Sequence, residues 1–126
     1  MWLTRLAVGG VFAASVACSS STSPSCSGAC VTIRDFSFSP SAMTIKVGTT
    51  VTWTNNGPSA HTATSDTGVW DSSTLGAPSG GGGYGGGAAG GTYQFTFNTP
   101  GTYPYHCKIH PPASYPSFTG TITVTS

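Results

Sequence analysis

The chain is expected to fold as an all-β sandwich of roughly seven to eight short strands. Three observations point there. Apolar and aromatic residues alternate with polar ones along residues 31–125, as in Thr50-Val-Thr-Trp-Thr54 and Tyr93-Gln-Phe-Thr-Phe97. Turn signals built from Pro, Gly and Asn break the alternation every few residues. No window of useful length after residue 17 carries a helical period.

Residues 1–17 read as an export signal. Arg5 supplies the positive start, and residues 6–16 form an apolar run too short to cross a bilayer as a helix. The run ends Ala14-Ser-Val-Ala-Cys18. A small residue before Cys resembles a bacterial lipobox, in which Cys18 becomes the acylated first residue. Ser15 departs from that pattern, where Leu is usual. Cleavage by an ordinary signal peptidase near the same place is the alternative. Both readings predict an exported protein, periplasmic or at the cell surface. Residues 18–29 form a Ser-rich linker, which would tether the domain to a membrane if Cys18 carries lipid. Residues 30–126 are expected to form one domain.

Within it, Val31, Ile33, Phe36 and Phe38 mark a first strand, ended by a turn at Pro40-Ser41. Residues 44–47 make a short strand and Gly48 a turn. Residues 50–54 follow as a strand with Val51 and Trp53 on one face, broken by Asn55-Asn-Gly-Pro58. A further strand is expected over residues 61–65, then a short irregular piece at Val69-Trp70. Residues 76–91 are a glycine-rich insertion whose composition favours mobility. Tyr93, Phe95 and Phe97 alternate again. Thr99-Pro-Gly101 turns the chain into a strand over residues 102–106, and residues 118–125 close the fold with Ile122 and Val124 inward.

Composition narrows the function. Charged residues are 6% of the 126, and the acids are Asp35, Asp66 and Asp71, with no Glu. Loss of Arg5 with the signal leaves Arg34, Lys46 and Lys108 against those three acids, a net charge of zero. That argues against nucleic-acid binding, which needs clustered basic residues. Acid–base hydrolysis needs paired carboxylates, which three scattered Asp do not readily supply.

The chemistry concentrates in Tyr103-Pro-Tyr-His-Cys-Lys-Ile-His-Pro-Pro112. Cys107 and His110 stand three apart in a tight loop after a strand, so both can face one site. A closed site needs a third ligand. His61 follows another strand in a turn-rich stretch and is the best candidate. One Cys and two His are the in-plane set of blue-copper sites. His106, next to Cys107, should point the other way in an extended strand. Met43 belongs to a strand entry and is expected in the core, as are Trp53, Phe95, Phe97, Tyr103 and Tyr105. With Cys107 on metal and Cys18 lipidated or removed, Cys26 and Cys30 remain, and an oxidising compartment favours their pairing. A second thiol metal site there would lack a nearby His.

The sequence resembles the plastocyanin/azurin-like cupredoxin family, the type 1 blue copper proteins. The resemblance runs from Ile33-Arg-Asp-Phe-Ser-Phe-Ser-Pro40 through Ile45-Lys-Val-Gly-Thr-Thr-Val-Thr-Trp-Thr-Asn55, His61-Thr62 and Phe95-Thr-Phe97. It continues in Pro100-Gly-Thr-Tyr-Pro-Tyr-His-Cys-Lys-Ile-His-Pro111 and Gly120-Thr-Ile-Thr-Val124. It implies a Greek-key sandwich with one copper ion on His61, Cys107 and His110, moving single electrons between redox partner proteins. Two departures stand out. Phe118 takes the slot where the family usually has an axial Met, and the glycine-rich insertion replaces a brief turn. Without an axial donor from Ser114, Tyr115 or the Ala60 carbonyl, the reduction potential should be high. The resemblance also makes the exposed edge of His110 the electron portal, with Pro111, Pro112, Ala113, Tyr115, Pro116 and Phe118 as an apolar frame and Lys108 solvated near its mouth. A monomer without enzymatic activity is expected, touching a membrane only through a lipid anchor. A copper chaperone or storage module, or a structural domain with a degenerate site, are the competing readings.

Overall fold

The computed structural model describes residues 26–79 and 88–126. The export segment, Cys18 and the centre of the glycine-rich insertion lie outside the described residues.

Eight strands are present among those residues: β1 (Ala29–Arg34), β2 (Ser37–Ser39), β3 (Ala42–Lys46), β4 (Thr49–Asn55), β5 (Thr64–Ser65), β6 (Thr92–Phe97), β7 (Gly101–His106) and β8 (Thr119–Thr125). They form two four-stranded sheets, ordered β2-β1-β4-β6 and β3-β8-β7-β5. β1 lies parallel to β4, and β3 parallel to β8. The other pairs are antiparallel. This is the β-sandwich expected from the alternating pattern.

The alternation puts one face of each strand inward. Val31 and Ile33 of β1, Val51 and Trp53 of β4 and Phe97 of β6 meet Ile45 of β3, Tyr105 of β7 and Ile122 and Val124 of β8 in one buried core. Phe95, Tyr103 and Met43 pack against it half-buried. The Tyr105 ring lies directly on Gly120, its cross-strand partner. A Cβ there would sit 2.2 Å from the Tyr105 ring, so only Gly fits beneath it.

Two expected elements are redrawn. The single strand over Val31–Phe38 is a hairpin: Arg34 pairs with Ser37 across the two-residue turn Asp35-Phe36, and Phe36 has a left-handed φ of 63°. The period-two phase slips between Ile33 and Phe36, and the turn absorbs the slip. The strand expected over residues 61–65 is reduced to Thr64–Ser65, because His61 and Thr64 instead bridge to Leu75 and Asp71. The described flanks of the glycine-rich insertion are tied together. Gly91 N–H donates to Gly76 O, and Ser79 N–H donates to Ala88 O. A disulfide joins Cys26, just before β1, to Cys30 within it.

The registers align the ends that matter. Ile33 stands beside Asn55, so the β1–β2 turn and the β4–β5 loop leave the first sheet together. His106 pairs with Thr119, which sets both ends of the β7–β8 loop at one rim of the second sheet.

Candidate metal centre

Three connections converge at that rim: the β1–β2 turn, the loop between β4 and β5, and the loop between β7 and β8. The middle one is pinned by Asn55, whose side chain is fully buried. Its Nδ2 donates to the carbonyls of Ser59, Leu75 and Gly76, and its Oδ1 accepts from Gly57 N–H. A buried amide so fully satisfied fixes the chain that carries His61.

His61 and Cys107 are both 0% exposed, and His110 is half-buried. His61 Nδ1 and His110 Nδ1 are 3.2 Å apart. Cys107 Sγ lies 4.0 Å from the first and 3.7 Å from the second. The three residues expected at the site are therefore together, although 46 residues separate His61 from Cys107.

The separations test whether a metal fits. Bonds of about 2.0 Å to nitrogen and about 2.3 Å to sulfur, in a trigonal arrangement, put nitrogens about 3.5 Å apart and sulfur about 3.8 Å from each. The observed triangle matches that size. A soft thiolate with two imidazoles is also the donor set that accepts copper in both common oxidation states. The residues present fit the ion.

Thr62 holds the sulfur in place. Its backbone N–H donates to Cys107 Sγ at 3.3 Å, and its Oγ1 accepts from Lys108 N–H at 3.0 Å. The two loops are thus laced together on either side of the thiol.

Asp35 was not expected at the site. The hairpin turn delivers its carboxylate to His61, with Oδ1 at 2.7 Å from Nε2. Ser59 adds two donors, its N–H to Oδ1 at 3.3 Å and its hydroxyl to Oδ2 at 3.1 Å. The His61 hydrogen bond holds the Asp35 carboxyl below the usual carboxylate range, with Ser59 reinforcing and desolvation opposing. Gly57 makes room: a Cβ there would stand 2.7 Å from Asp35 Oδ1 and 2.9 Å from Asp35 N. Only the phase slip at Asp35-Phe36 signalled the turn in the sequence.

The surroundings correct the expected frame. Phe118 is not part of an exposed patch. It is 0% exposed, with its ring centroid 4.9 Å from His61 and 6.2 Å from His110. It begins the approach to β8 from inside, where the sandwich core reaches the site. Phe36 takes its place on the surface. It stacks on Tyr115 at 4.3 Å and meets the His110 ring edge-on at 5.2 Å. Tyr115 also meets the His110 ring edge-on, at 5.2 Å, and Ile109, Pro111, Pro112, Ala113 and Pro116 of the same loop are exposed. His106 points away, as expected, and its Nδ1 meets Asp66 at 2.6 Å. Lys108 is exposed and pairs with Asp71. Met43 pairs with Ile122 across β3 and β8, inside the sandwich wall.

A two-sheet sandwich with one buried thiol and two converging imidazoles at its rim defines a cupredoxin-type metal protein. The profile of the family described as copper binding proteins, plastocyanin/azurin family, matches residues 28–125. Plastocyanin from Scenedesmus fuscus is 39% identical over 93 residues, covering 69% of this chain and 85% of its own length. A purple cupredoxin from Nitrosopumilus maritimus superposes with a TM-score of 0.56 at 26% identity, covering 77% of this chain and 99% of that one. An oxidised mutant of amicyanin gives a TM-score of 0.56 at 28% identity, over 80% of this chain and 85% of that one. The chain belongs to the plastocyanin/azurin family of copper-binding proteins, and copper is its cofactor.

Proposed function

We propose that the protein is an exported carrier of single electrons, with one copper ion held by His61, Cys107 and His110. The observation that carries this reading is the convergence of one sulfur and two ring nitrogens within 4.0 Å of one another. Bound copper supplies a one-electron couple that a thiolate and two imidazoles accommodate in both states.

The chain's own residues do the rest. Buried His61 and Cys107 keep water from the inner side of the site. The Asn55 and Thr62 hydrogen bonds fix both loops, so the ligand positions change little between states, and a small rearrangement means a low barrier to transfer. Half-buried His110 offers its outer edge to a partner, framed by Phe36, Ile109 and Tyr115. The sparse charge favours apolar docking of redox partner proteins over long-range steering. Phe118, whose ring packs on His61, has no donor atom to offer a bound copper, which would leave the oxidised state less stabilised and the reduction potential high. Residues 1–17 direct export, and Cys18 supplies a lipid anchor when acylated. The protein acts as a monomer and is not an enzyme. Among the described residues His61, Cys107 and His110 are the one cluster able to hold a metal, and that set serves a single copper ion.

Optical and EPR spectra of the copper-loaded mature domain test the proposal. An intense visible thiolate-to-Cu(II) band, bleached reversibly by reductant and absent from Cys107→Ser, is the expected result. A colourless Cu(II) complex, or a band that survives in Cys107→Ser, rejects it.

A further inference from the structure

We propose that Asp35 is a positioning residue for the copper site, fixing the His61 ring through Nε2 so that Nδ1 faces the metal. The inference rests on the ligand assignment proposed above.

The geometry argues it in three steps. An ionised carboxylate only accepts hydrogen bonds, so at 2.7 Å the His61 Nε2 must carry the proton. Nδ1 of the neutral ring then bears the free lone pair, and Nδ1 is the atom that faces Cys107 and His110. Nothing else among the described residues bonds His61 Nε2. The ring is 0% exposed, so water does not compete for this role.

The carboxylate is itself held. Ser59 donates to it twice, and Gly57 lets the turn approach closely. The turn that brings Asp35 there forces a bulky residue into the left-handed region, Phe36 at φ 63°. Such a conformation in a bulky side chain is an outlier that persists where the surroundings impose it. Here both residues of the turn face the site: Asp35 bonds His61, and Phe36 packs against the rings of His61 and His110. The negative charge of Asp35 beside the protonated far nitrogen also makes the ring a stronger donor and favours Cu(II) over Cu(I).

Two substitutions separate the bond from the charge. Asp35→Asn keeps an acceptor oxygen and removes the charge. Asp35→Ala removes both. The tautomer of His61 is read by nitrogen NMR on the metal-free protein, and the affinities for Cu(I) and Cu(II) are read by competition with chelators. The wild type should show the Nε2–H tautomer alone. Asp35→Asn should keep it while raising the reduction potential. Asp35→Ala should populate both tautomers and bind Cu(II) about 10- to 100-fold more weakly, the usual effect of removing a partner behind a metal-bound His. Each tenfold loss for Cu(II) over Cu(I) raises the potential by about 59 mV. Wild-type tautomer, potential and affinity in both variants would overturn the proposal, even if their stability falls. A wild-type protein with no thiolate band would instead refute the ligand assignment, which keeps the two failures apart.

Discussion

Tyr105 links the core to the site, two residues before Cys107, and its phenol offers a quantitative test of the packing. The side chain is 1% exposed, between Phe38, Trp53 and Trp70 and flat on Gly120. Burial pushes its pKa up to about 12 from an ordinary 10.0. In the unfolded chain the phenol ionises near pH 10, whereas in the folded chain it keeps its proton. Above pH 10 the folded state therefore binds more protons, and stability falls as pH rises. This contribution is intact below pH 10 and is lost through pH 12. The slope is about 1.4 kcal/mol per pH unit, giving a total of about 2–3 kcal/mol. The control is Tyr105→Phe. Among the described residues the phenol oxygen makes no full hydrogen bond, although the Trp53 N–H lies near enough to oppose part of the upward shift, so its removal at neutral pH should cost less than about 1 kcal/mol. Urea unfolding of the metal-free protein, followed by Trp fluorescence from pH 8 to 11.5, measures both. The wild type should lose about 2 kcal/mol more than Tyr105→Phe over this range. Parallel curves for the two proteins would show that the Tyr105 environment is not as dry as the packing requires.

Phe118→Met should give a folded protein, since the exchange approximately conserves volume in the core, and should lower the reduction potential by supplying an axial donor. Redox titration reads it, and a potential equal to or above wild type would remove the axial argument. Asn55→Ala should destabilise the metal-free protein by about 1–3 kcal/mol, because the buried Gly57 N–H and the Ser59 carbonyl lose their side-chain partner, while the Leu75 and Gly76 carbonyls keep the His61 and Gly91 N–H donors. Urea midpoints at constant m measure it, and a change below about 0.5 kcal/mol would mean that the loop holds His61 by other means.

Much of this was legible in the sequence because the chemistry is local. Cys107 and His110 share one loop, so three-residue spacing alone places them together. Trp53, Tyr105, Ile122 and Val124 follow strict alternation, and each stands in the core where the pattern puts it. What failed depends on partners far along the chain. Residues 61–65 have the composition of a strand, but the neighbours of His61 and Thr64 are Leu75 and Asp71, and only two residues remain paired to β7. Phe118 looked like a surface aromatic beside prolines. Its burial is decided by Phe38 and the His61 ring, which pack against it from β2 and the β4–β5 loop.

Asp35 shows why ligand sets are easier to find than the residues that aim them. A ligand must be one of a few residue types, and the spacing within its loop is short. The partner behind a ligand can be any acceptor that the fold brings within reach, and here 26 residues separate it from His61. What does reach the sequence is the trace of the turn that brings it there. The alternation Val31, Ile33 shifts phase to Phe36, Phe38, which no continuous strand can satisfy, because a one-residue slip turns every later side chain to the opposite face. Phe38 joins Val31 and Ile33 in the core because the chain reverses between them, pairing Phe38 with Ile33 and leaving Phe36 at the turn. The reversal places an acid at its tip, next to the loop that follows β4. A phase slip with a carboxylate at its centre, on the strand parallel to the one that leads to a ligand, is therefore a searchable signal for such partners in other sandwiches of this kind.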